Sequence, residues 1–162
     1  MDKQHRHRVK AWWTSGRTGI VMSDSAPNAI HFTAPPNFQG LKGRWTPEDL
    51  LLSAIASCFV TTFHALATYA SFEYTDFEVE AEGAISKADS GYKFEEIVLR
   101  PSLQVAREQD EKPARKLLDN TKLVCLISRA VSTPLRLEAR VVLANKNILH
   151  SLNPVLCKEE HL

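Results

Sequence analysis

From Leu50 to Ala70 the chain is almost continuously apolar, and this stretch opens with Thr46-Pro47-Glu48-Asp49. Thr46 is a residue type that caps a helix, and Pro47 suits the first helical position. Asp49, three residues after Thr46, can close a capping box. Glu48 and Asp49 also complement the positive end of a helix dipole. The pattern predicts a helix from Thr46 to about Tyr69 or Ala70. Its apolar residues lie nearly all round, so it has to be covered on most faces. One domain of 162 residues has little with which to cover both sides, and a partner chain is expected. Ser53, Ser57, Thr61, Thr62, His64 and Thr68 interrupt the run. It therefore suits a buried core helix better than a membrane span.

The remaining sequence alternates. Val9, Ala11 and Trp13 read as a strand, Ser15-Gly16-Arg17-Thr18-Gly19 as a turn, and Ile20-Val21-Met22 as a return strand. Ala29 to Thr33 forms a third, and residues 34–44, with Pro35, Pro36, Gly40 and Gly43, a long loop. Phe77, Val79, Ala81, Gly83 and Ile85 alternate, as do Ile97, Leu99, Leu103 and Val105, with Pro101 as an edge or bulge feature. Residues 110–122 are charged and helix-prone, and an apolar helix follows from Cys125 to Val131, stopped before Pro134. A single last strand is expected over Leu135, Leu137, Ala139, Val141 and Leu143. One domain over residues 1–144 and a polar tail over 145–162 are expected.

A formal charge of +1 leaves no electrostatic footprint for nucleic acid. The basic start, His5-Arg6-His7-Arg8, reads as a solvated arm. Two GxxG stretches, Gly16–Gly19 and Gly40–Gly43, are too weak a pattern to change that. The first residues carry no apolar signal region, and a cytoplasmic location is expected. There, three cysteines read as reduced, catalytic or inert rather than as a disulfide framework. They have no close-spaced metal-ligating partners, and His64 sits off the helical face of Cys58. No metal or cofactor is expected, and Cys157 in the tail reads as incidental.

On a helix, Leu51, Ile55, Cys58 and Thr62 fall in one stripe. By spacing alone Cys58 is a core position. Chemistry at Cys58 needs the thiolate. The residue lies about three turns into its helix, beyond reach of the dipole, so a cationic side chain is expected to come to it. Arg17, in the glycine-flanked turn, and Arg44, ahead of the helix, are the candidates. Such an arginine needs a carboxylate to fix its fork, and Glu48 is the nearest one.

The segment Trp45-Thr46-Pro47-Glu48-Asp49-Leu50-Leu51-Leu52-Ser53-Ala54-Ile55-Ala56-Ser57-Cys58-Phe59 closely resembles the core motif of the OsmC/Ohr family, the osmotically inducible and organic hydroperoxide resistance proteins. Val124-Cys125-Leu126-Ile127-Ser128-Arg129-Ala130 resembles that family's second-cysteine motif, and Gly16-Arg17-Thr18-Gly19 its arginine turn. The segment from Trp45 is closer to the OsmC-like branch. The resemblance implies an α+β fold with antiparallel sheets around a long central helix, in an intertwined homodimer. It implies a thiol peroxidase for organic hydroperoxides and extends to hydrogen peroxide, with no cofactor. Carried onto this chain, Cys58 is the peroxidatic thiol, Cys125 the resolving thiol, Arg17 the activating cation and Glu48 its partner. An external dithiol, a dihydrolipoyl protein in the Ohr branch, is the implied reductant. Leu126 departs from the pattern, since many relatives carry proline there. The alternative reading is a non-catalytic module holding a small hydrophobic ligand at a dimer interface.

Overall fold

The computed structural model describes residues 4–89 and 91–144, so the polar tail and Cys157 lie outside the described residues. The chain divides into two compact units after Ala54, within the long helix.

The first unit begins with a three-stranded antiparallel meander of β1 (Val9–Ser15), β2 (Thr18–Ser23) and β3 (Ala26–Thr33). Trp12 pairs with Ile20, and Ile20 pairs with His31. The β1–β2 turn is shorter than the sequence suggests, because Thr18 and Gly19 already pair in the sheet. Gly16 takes φ +50°, a conformation that disfavours a side chain. The Trp13 indole N–H donates to the Gly16 carbonyl (2.9 Å), and the Thr18 hydroxyl donates to the Ser15 carbonyl (2.7 Å). The whole of β1 is exposed, Trp13 to 75%.

The expected helix start is observed. The Thr46 N–H donates to Asp49 Oδ2 at 2.8 Å, and the Asp49 N–H returns a bond to Thr46 Oγ1 at 3.2 Å. This reciprocal pair satisfies two donors that helix geometry leaves unpartnered. From it α1 runs Pro47–Tyr69, in agreement with the sequence reading.

In the second unit, Ile55, Phe59, Phe63 and Ala67 form the buried ridge of α1, spaced four residues apart. Phe63 lies 4.2 Å from Phe77 and 5.3 Å from Tyr74 between ring centroids. The sheet beneath is built on a hairpin of β4 (Asp76–Ala88) and β5 (Gly91–Val105). Helix α2 (Glu111–Val124) buries Ala114, Leu118 and Thr121. A short α3 (Leu126–Ala130) follows, then β6 (Leu135–Leu137) and β7 (Arg140–Leu143). The fold is α+β, and its second sheet is mixed: β6 and β7 both run parallel to β5.

Two sequence expectations are corrected together. Pro101 marks no edge and no bulge, since it sits inside the central strand β5, opposite Val79. The last strand is also interrupted, not continuous. Ile97 N–H donates to the Pro134 carbonyl, the Leu99 carbonyl accepts from Glu138 N–H, and the Val105 carbonyl accepts from Ala144 N–H. Alternate residues of β5 thus bond toward β6 and β7. Residue 101 belongs to that series and has no N–H to give. The pairing lapses there, between Leu137 and Arg140.

Most of α1 outside the ridge is not fully buried in the single chain, and by length and composition α1 could cross a membrane.

Candidate active site

The second unit brings the two candidate cysteines together. Cys58 is half-buried on α1, one step round from the Ile55–Phe59 ridge, and Cys125 is fully buried. Helix α2 ends as the Cys125 N–H donates to the Thr121 carbonyl at 2.8 Å. Cys125 then takes φ −59°, ψ 116°, and α3 sets off in a new direction. Its carbonyl accepts the Arg129 N–H at 3.1 Å, closing the single turn. The first N–H groups of such a turn have no partner within the helix. Those of Leu126 and Ile127 are among the donors that favour the Cys58 thiolate.

Both thiols are free. Burial, the largest influence on the Cys58 thiol, pushes its pKa up. The Ile127 N–H, the Cys125 S–H, the Thr62 hydroxyl and the Leu126 N–H pull it down, and together they prevail, so the pKa lies below the ordinary thiol value. Thr62 Oγ1 lies 3.9 Å from the sulfur. Every group that pulls the thiol down is neutral. All four belong to the second unit, and two of them are N–H groups at the start of α3. On the other side of the pair, Ser128 donates from its hydroxyl to Cys125 Sγ at 3.1 Å.

Sequence reasoning missed these donors, since a backbone N–H carries no residue signature. The signal available was a charged helix running up to Cys125 and an apolar one leaving it. A thiol at such a junction faces a fresh set of unpaired N–H groups.

Arg17 and Glu48 belong to the first unit. Arg17 is exposed in the β1–β2 turn, its carbonyl accepting the Ala34 N–H at 3.0 Å. Among the described residues no ion pair joins Arg17 to Glu48. Glu48 Oε2 is buried without a hydrogen-bond partner. The structure brings the two thiols together within the second unit. His64 is exposed on α1 and shares a 2.8 Å hydrogen bond, through Nδ1, with the Tyr74 hydroxyl.

The chain is 28% identical over 147 residues to the uncharacterized protein YmaD of Bacillus subtilis, a match covering 88% of this chain and 98% of that one. It is 26% identical over 101 residues to peroxiredoxin OsmC of Escherichia coli, covering 62% and 69%. The fold matches the crystal structure of an organic hydroperoxide resistance protein from Elizabethkingia anophelis with a TM-score of 0.71, at 20% identity, over 89% of this chain and all of the other. A family model for OsmC-like protein matches residues 40–140, from the loop ahead of α1 to the start of β7. That segment carries the capped helix and both cysteines, and the chain belongs to the OsmC/Ohr family.

Proposed function

We propose that the chain is a thiol-dependent hydroperoxide reductase with Cys58 as its peroxidatic thiol and Cys125 as its resolving thiol. The observation that carries this reading is the half-exposed Cys58 sulfur, held in hydrogen-bond reach of a buried second thiol and favoured as the thiolate. Such a thiol is accessible to a small oxidant, and its lowered pKa raises the share of the nucleophilic thiolate.

The Cys58 thiolate attacks the terminal oxygen of ROOH. The O–O bond breaks, Cys58 becomes a sulfenic acid, and the alkoxide takes a proton and leaves as alcohol. The Cys125 sulfur then attacks the sulfenic sulfur. The S–S bond forms, the S–O bond breaks, and hydroxide leaves with the Cys125 proton as water. An external dithiol restores both thiols through a mixed disulfide, becoming a disulfide itself. A dihydrolipoyl group is the reductant in this reading.

Arg17 is assigned the charge that develops on the departing oxygen, and Glu48 the anchoring of the Arg17 fork. The unpartnered Glu48 Oε2 supports this, as a buried acceptor with capacity for guanidinium donors. The protein acts as a homodimer in this reading. Support comes from the exposed β1, with Trp13 at 75%, and from the apolar residues of α1 outside its ridge. A second copy is the cover that such surfaces call for.

The test is mass spectrometry of free thiols before and after one equivalent of an organic hydroperoxide, on the wild type, Cys58→Ser and Cys125→Ser. A Cys58–Cys125 disulfide in the wild type and a Cys58 sulfenic acid in Cys125→Ser are expected. An unreacted Cys58 in the native protein would leave a ligand-binding scaffold as the better account.

A further inference from the structure

The proposed reaction uses two thiols, yet a third side chain is bonded to the pair. Ser128 donates its hydroxyl hydrogen to Cys125 Sγ at 3.1 Å. Cys125 is held on every other side. Its N–H is bonded to the Thr121 carbonyl, its carbonyl to the Arg129 N–H, and its side chain is fully buried. Its backbone is therefore fixed, and the one freedom left is rotation about χ1, which swings the sulfur toward or away from Cys58. Two groups bear on that rotation: the Cys58 thiol, to which the Cys125 S–H donates, and the Ser128 hydroxyl. The hydroxyl does so from one turn along α3, where its own backbone shares the turn closed by Cys125.

We infer that Ser128 is a positioning residue for disulfide formation, holding the Cys125 sulfur on line toward Cys58 and bearing part of its charge as it attacks. This rests on the two-cysteine reading above. In the step itself the Cys125 sulfur forms a bond to the Cys58 sulfur and the Cys58 S–O bond breaks. The Cys125 proton leaves with the hydroxide as water. Cys125 is oxidised to the disulfide and the sulfenic acid is reduced to it. Ser128 gains and loses nothing; its hydrogen bond persists from thiol to transition state and strengthens as charge gathers on sulfur. The four groups that donate to Cys58 do not include Ser128, so the first oxidation does not depend on it directly.

The test separates the two steps. Reduced wild type, Ser128→Ala and Ser128→Thr are mixed with one equivalent of tert-butyl hydroperoxide. Samples are quenched over time, the sulfenic acid is trapped with dimedone, and products are counted by mass spectrometry. In Ser128→Ala, Cys58 oxidation is expected to stay within about threefold of wild type, while disulfide closure slows about tenfold, the scale of one lost hydrogen bond. The trapped sulfenic acid then accumulates, and excess peroxide drives more Cys58 to sulfinic acid. Ser128→Thr, which keeps the hydroxyl, restores closure. Closure at the wild-type rate in Ser128→Ala overturns the inference, as does equal slowing of both steps, the mark of lost packing alone.

A second arm needs no peroxide. Cys58 is converted to its mixed disulfide with glutathione, and closure by Cys125, releasing glutathione thiolate, is timed. A wild type inert to peroxide, whose closure in this arm still slows in Ser128→Ala, refutes the peroxidase reading and keeps the role of Ser128. Equal closure rates refute the role of Ser128 whatever the peroxide does.

Discussion

Leu126→Pro isolates one backbone donor at the thiol without disturbing the fold that presents it. Leu126 is the first residue of α3, where proline is favoured because its missing N–H has no helical partner. Its side chain is 71% exposed, so little packing is lost. Cys125 already has φ −59°, ψ 116°, the extended conformation that a following proline demands. The substitution is expected to raise stability by about 0.4–1 kcal/mol through the unfolded chain. It also deletes the Leu126 N–H, the least of the four groups that favour the Cys58 thiolate. Hydrogen bonds to charged groups contribute about 1.5–3 kcal/mol. For the weakest donor to a diffuse sulfur anion, about 1 kcal/mol is expected, or roughly fivefold less thiolate at pH well below the Cys58 titration. A more basic thiolate is also a better nucleophile, and the usual Brønsted slope returns about twofold. Iodoacetamide alkylation of Cys58, followed against pH, therefore slows about twofold at acid pH and quickens about twofold where both proteins are fully ionised. The two profiles cross. Superimposable profiles would refute the role of the Leu126 N–H, and a uniform displacement at all pH values would show altered access instead.

Other outcomes follow from the same geometry. Arg17→Lys is expected to lower kcat/KM for organic hydroperoxides roughly a hundredfold, since a point charge cannot replace the planar fork at a developing oxyanion; near-normal turnover in a steady-state assay would remove Arg17 from that role. Phe63→Ala should cost about 3–5 kcal/mol in urea unfolding at fixed protein concentration, because the ring is fully buried and stacked at 4.2 Å on Phe77; a loss under about 1 kcal/mol would mean that this ridge does not hold the unit together. Sedimentation equilibrium is expected to return twice the chain mass, and a monomer at micromolar concentration would sink the homodimer.

What could be read from the sequence was what local chemistry decides. The capping box joins residues three apart, so Thr46 and Asp49 announce it and the bonds are found as expected. The alternation in β4 holds from Phe77 to Gly83 and breaks at Ile85, where the pairing with β5 shifts register and the side chain is exposed. The division of the last strand into β6 and β7 was hidden, since its cause is Pro101, more than thirty residues upstream and on another strand. The place of Cys58 was only half legible. A helical stripe puts it with Ile55, but three residues are about 60° short of a full turn. The aromatic residues beneath select the i+4 ridge through Phe59 and Phe63 instead. That small rotation keeps Cys58 half-exposed, where a core cysteine would be inert.

That the groups lowering the Cys58 pKa are neutral bears on what an arginine is needed for. An ordinary thiol is about 3% ionised at pH 7, so full ionisation multiplies the thiolate by roughly thirtyfold at most. Part of that gain is returned as lost nucleophilicity. In this chain Ile127, Cys125, Thr62 and Leu126, none of them charged, contribute to that gain. A cation recruited only to ionise Cys58 could add no more than the remainder of this modest factor. In the proposed reaction, the charge that these donors do not address is the one appearing on the alkoxide as the O–O bond breaks. Stabilising that charge is where a fixed guanidinium yields factors of a hundred or more. The two tasks are then separable in experiment: Leu126→Pro moves the pH dependence of alkylation, while Arg17→Lys leaves alkylation by uncharged iodoacetamide nearly intact and abolishes most of the peroxide turnover. A variant pair in which both substitutions shifted both readouts alike would show one shared electrostatic site, and the division of labour would be wrong.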